Sequence, residues 1–395
     1  MTNHSPLQSL YSHLAWWGLK RFTSDADYFA WQRNRLSPAD LTRLSRQVER
    51  KREGECGDEV AFYDLIAQPQ IFPALYSQRY EYYSEIGPHV AARFGDADCI
   101  LDFGCGVGIL TTFYATQCPE KQFVGVDRSP ASIAVARKKA RELSLSNIRF
   151  ECVDIESDNI AGSYDLIVAT HALVQTEREP GIPSRNWQTF ERACDAEQQA
   201  AFERRTGVGI RLDRLCALLV PTGRMIVFEK TRQLARRVPL QRALAARDLR
   251  LIEQPELIRY RLVEEVVDDG PLYLLGKGAL RKFHWDESPE PDEGRPFDRT
   301  QRKTDSTDPD APLYENHRPS AQRVWEQFYD KRLLTETTHQ ELDGRQLHVE
   351  LGQAEEGVYL YCANTFDQRQ LVIVEPARAV ILESYYQEIV RGAFG

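Results

Sequence analysis

Apolar positions along this chain follow two rhythms, and the change between them comes near residue 97. Before it the spacing is helical: Leu41, Leu44 and Val48 recur on one face after Ser37-Pro38, a helix start. A charged, glycine-containing stretch from Glu49 to Glu59 reads as a turn or loop, and an aromatic-rich run follows from Phe62 to Tyr83. From about residue 97, short apolar strands alternate with amphipathic helices. Strands are predicted at Cys99–Phe103, Phe123–Val126, Ile148–Val153, Tyr164–Thr170 and Arg224–Glu229. Helices are predicted from Gly108, over Pro130–Leu143 and over Arg211–Leu219. This alternation predicts an α/β fold with a doubly wound parallel sheet. Leu249–Leu262 and Leu272–Gly276 are expected as the last two strands, joined by a turn at Asp268-Asp269-Gly270-Pro271.

Two segments break the alternation. Gln175 to Arg205 is polar and lies between a strand and its helix, as an insertion does. Ligands bind at strand ends in open α/β sheets, so Arg185 and Trp187 in this insertion are candidates to line an acceptor pocket. Asp286 to Pro312 is rich in Pro, Asp, Glu, Arg, Ser and Thr and almost devoid of aliphatics. It cannot bury enough apolar surface to offset its ordering entropy, and is expected to be a flexible linker. Beyond it, Ser320–Leu333 reads as a helix, Leu347–Leu351, Val358–Cys362 and Leu371–Val374 as strands, and Ala379–Val390 as a closing helix or strand–helix. The expected plan is therefore a helical N-terminal region over 1–95, the α/β domain over 96–282, a linker over 283–312 and a small α+β domain over 313–395.

The 395 residues are 42% hydrophobic and 28% charged, enough to bury a full core. A net charge of -9 argues against a broad nucleic-acid footprint. No segment approaches the roughly 20 apolar residues that span a bilayer. Ser12, His13 and Lys20 interrupt the first stretch, which does not read as a signal peptide. The eight cysteines contain no CxxC pair, so no metal site is expected from them. A reduced, cytoplasmic protein is the reading these features favour.

The chemistry concentrates at Asp102-Phe103-Gly104-Cys105-Gly106-Val107-Gly108, a strand-to-helix turn. Glycines there let the backbone approach a ligand, and the helix N-terminus offers free N–H donors. The dinucleotide spacing G-x-G-x-x-G fails, because Ile109 holds the third position and the glycine arrives early at Gly108. The run instead resembles the first motif of class I S-adenosylmethionine-dependent methyltransferases, D-x-G-x-G-x-G. The resemblance continues through Val124-Gly125-Val126-Asp127, Cys152-Val153-Asp154-Ile155, Tyr164 to His171, and Val220-Pro221-Thr222-Gly223-Arg224, where Thr222 replaces one family glycine. It covers about residues 96 to 280.

The resemblance implies a seven-stranded sheet of the class I type and S-adenosylmethionine as cofactor. It implies cofactor contacts from Asp102, Gly104, Cys105, Gly106, Gly108, Asp127, Arg128, Asp154, Ile155 and Thr170. Asp102 would orient the amino group, Asp127 would accept the ribose hydroxyls, and Asp154 would take the adenine amine. His171, closing the fourth strand near the transferred methyl, is the candidate catalytic base. Tyr76, Tyr80 and Tyr83 lie where family members carry a lid helix, and aromatic faces attract a sulfonium cation. The implied activity is methyl transfer to an O or N atom of a small-molecule acceptor. Two alternatives stay open: methylation of a protein or RNA recognised by the C-terminal domain, and a non-catalytic scaffold. That domain is equally a candidate homodimer contact.

Overall fold

The computed structural model describes residues 6–53, 56–175, 180–278, 283–292, 294–297, 311–328, 330–341 and 344–394. The chain divides into two compact units, one of residues 1–179, 200–232 and 240–285, the other of residues 180–199, 233–239 and 286–395.

The first unit is built on a sheet of β1 (Cys99–Phe103), β2 (Gln122–Asp127), β3 (Ile148–Cys152), β4 (Tyr164–Thr170), β5 (Leu219–Phe228), β6 (Leu249–Leu251), β7 (Glu256–Leu262) and β8 (Glu265–Lys277). Their spatial order is β3-β2-β1-β4-β5-β8-β6, with β7 also paired to β8. Strands β3 through β5 are mutually parallel, whereas β8 runs antiparallel to β5. The central strands bury both faces; Ile100, Leu101, Leu166, Ile167, Val168, Ile226 and Val227 are nearly inaccessible. Near-continuous apolar runs are what a parallel sheet covered on both sides requires. The strand order reverses between β1 and β4, and ligands bind outside the carboxyl ends of strands at such a switch point.

Among the described residues six helices precede β1, at Pro6–Trp16, Asp25–Arg35, Pro38–Glu53, Cys56–Ile66, Phe72–Ser77 and Tyr80–Ala91. Their Leu10, Leu14, Ile86 and Val90 share one core with Ile100 and Phe113. His13 Nε2 hydrogen-bonds the Ile109 carbonyl at 2.9 Å. Asp64 accepts from Ser129 Oγ at 2.7 Å and so braces the start of the helix Pro130–Glu142. The loop expected over Glu49–Glu59 is shorter: the preceding helix runs to Glu53 and the next begins at Cys56. Arg50, Lys51 and Arg52 favour the end of that helix through its dipole.

The sheet has eight strands where seven were expected. Leu249–Leu262 splits into β6 and β7, which pair with different parts of the long β8. The hairpin turn lies at Val263-Glu264, with Leu262 opposite Glu265 and Val263 at φ 61°. Asp268-Asp269-Gly270-Pro271 is not the turn but a bend inside β8. Thr231 N–H donates to the Asp269 carbonyl at 2.7 Å, and Gly270 absorbs the bend at φ 127°.

The second unit is an antiparallel sheet of β9 (Tyr314–Asn316), β10 (Arg332–Gln340), β11 (Gln346–Ala354), β12 (Gly357–Asn364) and β13 (Arg369–Val374), in the order β10-β11-β12-β13-β9. The helix Ala379–Phe394 covers one face through Leu382 and Tyr386, which pack on Val349, Leu351, Val358 and Leu360. Ala321 and Val324 pack with Tyr359 and Tyr361 in a separate core. Their helix is Ser320–Glu326, shorter than expected, because the β-branched Thr335, Thr337 and Thr338 extend into β10. Much of the expected linker, 298–310, lies outside the described residues, as do 176–179 of the insertion. The linker's first part is built into this unit: Phe297 packs in its core, and Asp292 accepts from Ser320 Oγ at 2.6 Å and Ser320 N at 2.7 Å. So is the insertion, where Arg192 forks onto Asp367 at 2.5 Å from each oxygen. Among the described residues no helix is long and apolar enough to cross a membrane.

Candidate cofactor and acceptor site

A cavity of about 420 Å³ opens at the carboxyl ends of β1, β2 and β4, within the usual size of a small-molecule site. Every expected cofactor residue except Gly108 borders it: Asp102, Gly104, Cys105, Gly106, Asp127, Arg128, Asp154, Ile155 and Thr170.

The glycine loop forms one wall. Gly104, Gly106 and Gly108 have φ of 75°, 56° and 82°, left-handed values that favour glycine. Their reasons differ. A Cβ on Gly104 would stand 2.4 Å from the Ala172 Cβ, and one on Gly108 would stand 2.8 Å from the Phe150 ring. A Cβ on Gly106 would meet nothing within 4 Å. Gly108 is thus a packing glycine behind the loop, while Gly106 leaves its space to the cavity.

Two acids flank the loop. Asp127 accepts from Gly106 N at 2.9 Å and Ser129 N at 2.8 Å, one bond to each oxygen, and so pins the loop while keeping further lone pairs. Burial raises its pKa. Asp102 is buried at the end of β1, and Thr111 Oγ1 donates to it at 2.6 Å. Burial lifts its pKa to about 6, against the opposing Thr111 bond. Arg128 is turned to Glu59 of the N-terminal helices. Asp154 accepts from Glu156 N at 3.0 Å and shapes the turn after β3. Cys105 is a half-buried free thiol whose pKa burial pushes up.

The cavity is also bordered by residues that sequence patterning did not single out, Arg79 and Glu229. Arg79 borders the cavity with its guanidinium 4.4 Å above the Tyr82 ring centre. Its Nη2 donates to His171 Nδ1 at 2.7 Å. His171 Nε2 stands 3.0 Å from Asp269 Oδ2. Burial holds the imidazole pKa down at about 4, so it is neutral near pH 7. An arginine can only donate, so Nδ1 supplies the lone pair and Nε2 carries the proton. The expected base is therefore a ring whose Nδ1 is already bonded to Arg79, with a carboxylate close to Nε2. It also packs beside Tyr82 and Phe228, with centroids at 5.0 and 5.3 Å, and sits at φ 55°. Glu229, just past β5, accepts from Ala172 N at 2.8 Å and Leu173 N at 2.7 Å and holds the loop that carries His171. Burial raises its pKa to about 7. The signal for Arg79 was present: it is the lone basic residue in the aromatic run Phe62–Tyr83.

Tyr76 and Tyr83 line the cavity as expected, joined by Tyr63 and Tyr82. Tyr80 does not; it stacks on Tyr11 at 6.3 Å. One helix stops at Ser77 and the next starts at Tyr80, so positions 76 and 80 do not share a continuous helical face. Arg185 and Trp187 do not line it either. Both belong to the second unit, where Arg185 pairs with Glu191 at 3.4 Å and Trp187 stacks on His348.

Residues 95–255 match the model of a methyltransferase-domain family. The chain is 37% identical over 70 residues to a malonyl-[acyl-carrier protein] O-methyltransferase of Acetivibrio thermocellus, a span of 18% of this chain and 24% of that one. It is 35% identical over 89 residues to a trans-aconitate 2-methyltransferase of Deinococcus radiodurans, covering 22% and 32%. It is 44% identical over 95 residues to a tRNA (guanine-N(7)-)-methyltransferase of Rubrobacter xylanophilus, covering 23% and 40%. The matched part thus spans between about a quarter and two fifths of these relatives. A solved structure of the N-methyltransferase NodS from Bradyrhizobium japonicum, in complex with S-adenosylhomocysteine, is similar over 49% of this chain and 85% of its own at 17% identity and TM-score 0.33. The glycine loop and its two acids, at the sheet's switch point, lie within the residues that match the methyltransferase-domain model.

Proposed function

We propose that the cavity binds S-adenosylmethionine and that the protein transfers its methyl group to an O or N atom of a small acceptor. The observation that carries this reading is that Asp102 and Arg79 border the same cavity. An amino-acid end carries one ammonium and one carboxylate, and a buried acid with a guanidinium is its complement. Arg79 suits the carboxylate because its hydrogen bond to His171 goes to a neutral imidazole, which leaves its charge uncompensated by that partner. Gly106 would let the cofactor approach the backbone, Asp127 would receive the ribose hydroxyls and Asp154 the adenine amine. When bound, the cofactor supplies an electrophilic methyl on a sulfonium.

The protein's own part is to position and to exclude water. Tyr63, Tyr76, Tyr82 and Tyr83 form a wall of aromatic faces suited to a sulfonium. His171, with Nδ1 occupied, acts as a positioning residue that holds Arg79 against the cavity, with the Asp269 carboxylate close to its Nε2. Among the relatives, named acceptors range from trans-aconitate to tRNA, so the small-acceptor reading rests on the cavity's size and on the aromatic side chains the N-terminal helices bring to it. The test is transfer of labelled methyl from S-adenosylmethionine to cell extract split by size. Label is expected in the small-molecule fraction; label confined to RNA or protein would overturn this acceptor class.

Asp102 gives the site a pH dependence. Its folded pKa of about 6 lies above the ordinary aspartate value of 3.8. The raised value means the carboxylate form is disfavoured by burial, and an ammonium partner draws the pKa down. Cofactor binding therefore favours the ionised form: affinity is full above about pH 6 and falls below it, by up to about tenfold per pH unit. A flat affinity between pH 7 and pH 5 by calorimetry would take Asp102 out of this role.

A further inference from the structure

We propose that the second unit binds a divalent transition-metal ion between Glu336, His348 and Glu350. This site is independent of the methyltransferase reading.

The strand register assembles it. Strands β10 and β11 pair Glu336 with Glu350 and Thr338 with His348, so all four side chains project from one face. Like charges directly opposite on a ladder repel, and this sheet sets two carboxylates against each other. A cation between them turns that liability into a binding site.

The ligand atoms are arranged for one. A donor atom from each residue lies within 4.8 Å of the other two. His348 is 1% exposed, and its Nε2 has no hydrogen-bond partner. That nitrogen is 3.6 Å from Glu350 Oε2 and 4.0 Å from Glu336 Oε2. These separations are too long for hydrogen bonds but suit two donors sharing one ion at about 2.0–2.2 Å each.

The remaining atoms are held from behind, as metal ligands usually are. His348 Nδ1 bonds Thr338 Oγ1 at 2.8 Å, which turns Nε2 toward the carboxylates. The Trp187 ring stacks on the imidazole at 3.6 Å and 2°. Glu350 Oε1 receives Trp325 Nε1 at 3.2 Å and the Tyr359 hydroxyl, which leaves Oε2 for the ion. The ammonium of Lys331 is directed elsewhere: it bonds the Trp325 carbonyl at 3.0 Å and lies 3.6 Å over the Trp325 ring centre. Glu336 is half-exposed and leaves an open side where water completes the coordination. One imidazole and two carboxylates favour a first-row ion such as Zn²⁺, Co²⁺ or Mn²⁺ over Ca²⁺, which takes oxygen alone.

The test uses the full-length protein, stripped with chelator and titrated with Co²⁺ under absorption spectroscopy. Visible bands without the charge-transfer band of a thiolate separate this site from the cysteines. The expected result is one Co²⁺ per chain, with binding weakened at least about tenfold in Glu336→Gln and Glu350→Gln. Glu336→Gln alters an exposed side chain, so its metal-free form should melt as wild type does, whatever a change at buried His348 does to folding. Absence of saturable binding would show that His348 and its carboxylates are only an ion pair. Equal binding by wild type and both variants would place the ion elsewhere. Either result overturns the proposal.

Discussion

Arg79→Met is expected to weaken binding of S-adenosylhomocysteine by roughly 30- to 4,000-fold, the span of about 2–5 kcal/mol lost when one partner of a buried, hydrogen-bonded charge pair is truncated. Methionine keeps the length and apolar stem of arginine and removes the charge, so the Tyr82 contact is largely kept. What disappears is the guanidinium that faces the cavity and donates to His171. Arg79→Lys should recover part of the affinity, because a point charge remains while the planar fork is lost. The comparison is made by calorimetry, with thermal unfolding as a control for folding. If Arg79→Met binds as wild type does, the guanidinium does not meet the cofactor's carboxylate. If it then loses turnover alone, Arg79 belongs to the acceptor.

The glycine loop makes a second large effect, and here two neighbouring substitutions should behave differently. Gly106→Ala adds a methyl that meets no protein atom within 4 Å, at φ 56°. The folded protein should lose only the left-handed penalty, about 1–2 kcal/mol. In the proposed site the methyl would enter space the cofactor occupies, so binding should fall by far more than that penalty suggests. Gly104→Ala puts its methyl 2.4 Å from the Ala172 Cβ, next to His171. Overpacking of about 1–3 kcal/mol adds to the backbone penalty, and the loop after β4 must shift. Gly104→Ala should therefore lower both stability and binding, whereas Gly106→Ala should lower mainly binding. Equal losses of stability would mean that Gly106 is a turn glycine like the others.

The central sheet was legible because each of its strands is a short apolar run ending in a turn signal. The glycine loop and Asp127 were legible for the same reason: their residue types sit at strand ends in a fixed order. Glu229 and Asp269 were not, because Glu229 reaches the cavity and Asp269 reaches His171 from separate stretches of chain, and Arg79 showed only as a lone basic residue in an aromatic run. No local pattern records that Arg79 meets His171 across 92 positions. Asp269 was hidden by its own neighbourhood, since Asp-Asp-Gly-Pro reads as a turn and here runs through a strand. Trp187 misled in the opposite way. It lies in an insertion beside the predicted site, yet its segment is folded into the second unit. The Glu336, His348 and Glu350 cluster depends on the register of β10 and β11, which sequence spacing alone did not determine.

The claim that this cavity holds S-adenosylmethionine is tested most directly by calorimetric titration of the wild-type chain with S-adenosylhomocysteine at pH 7.5, beside Gly106→Ala. The site described here predicts one saturable site per chain in the wild type and a large loss of affinity in the variant, with little change in its melting temperature. No saturable heat from the folded wild type, or the same affinity in both proteins, would contradict it.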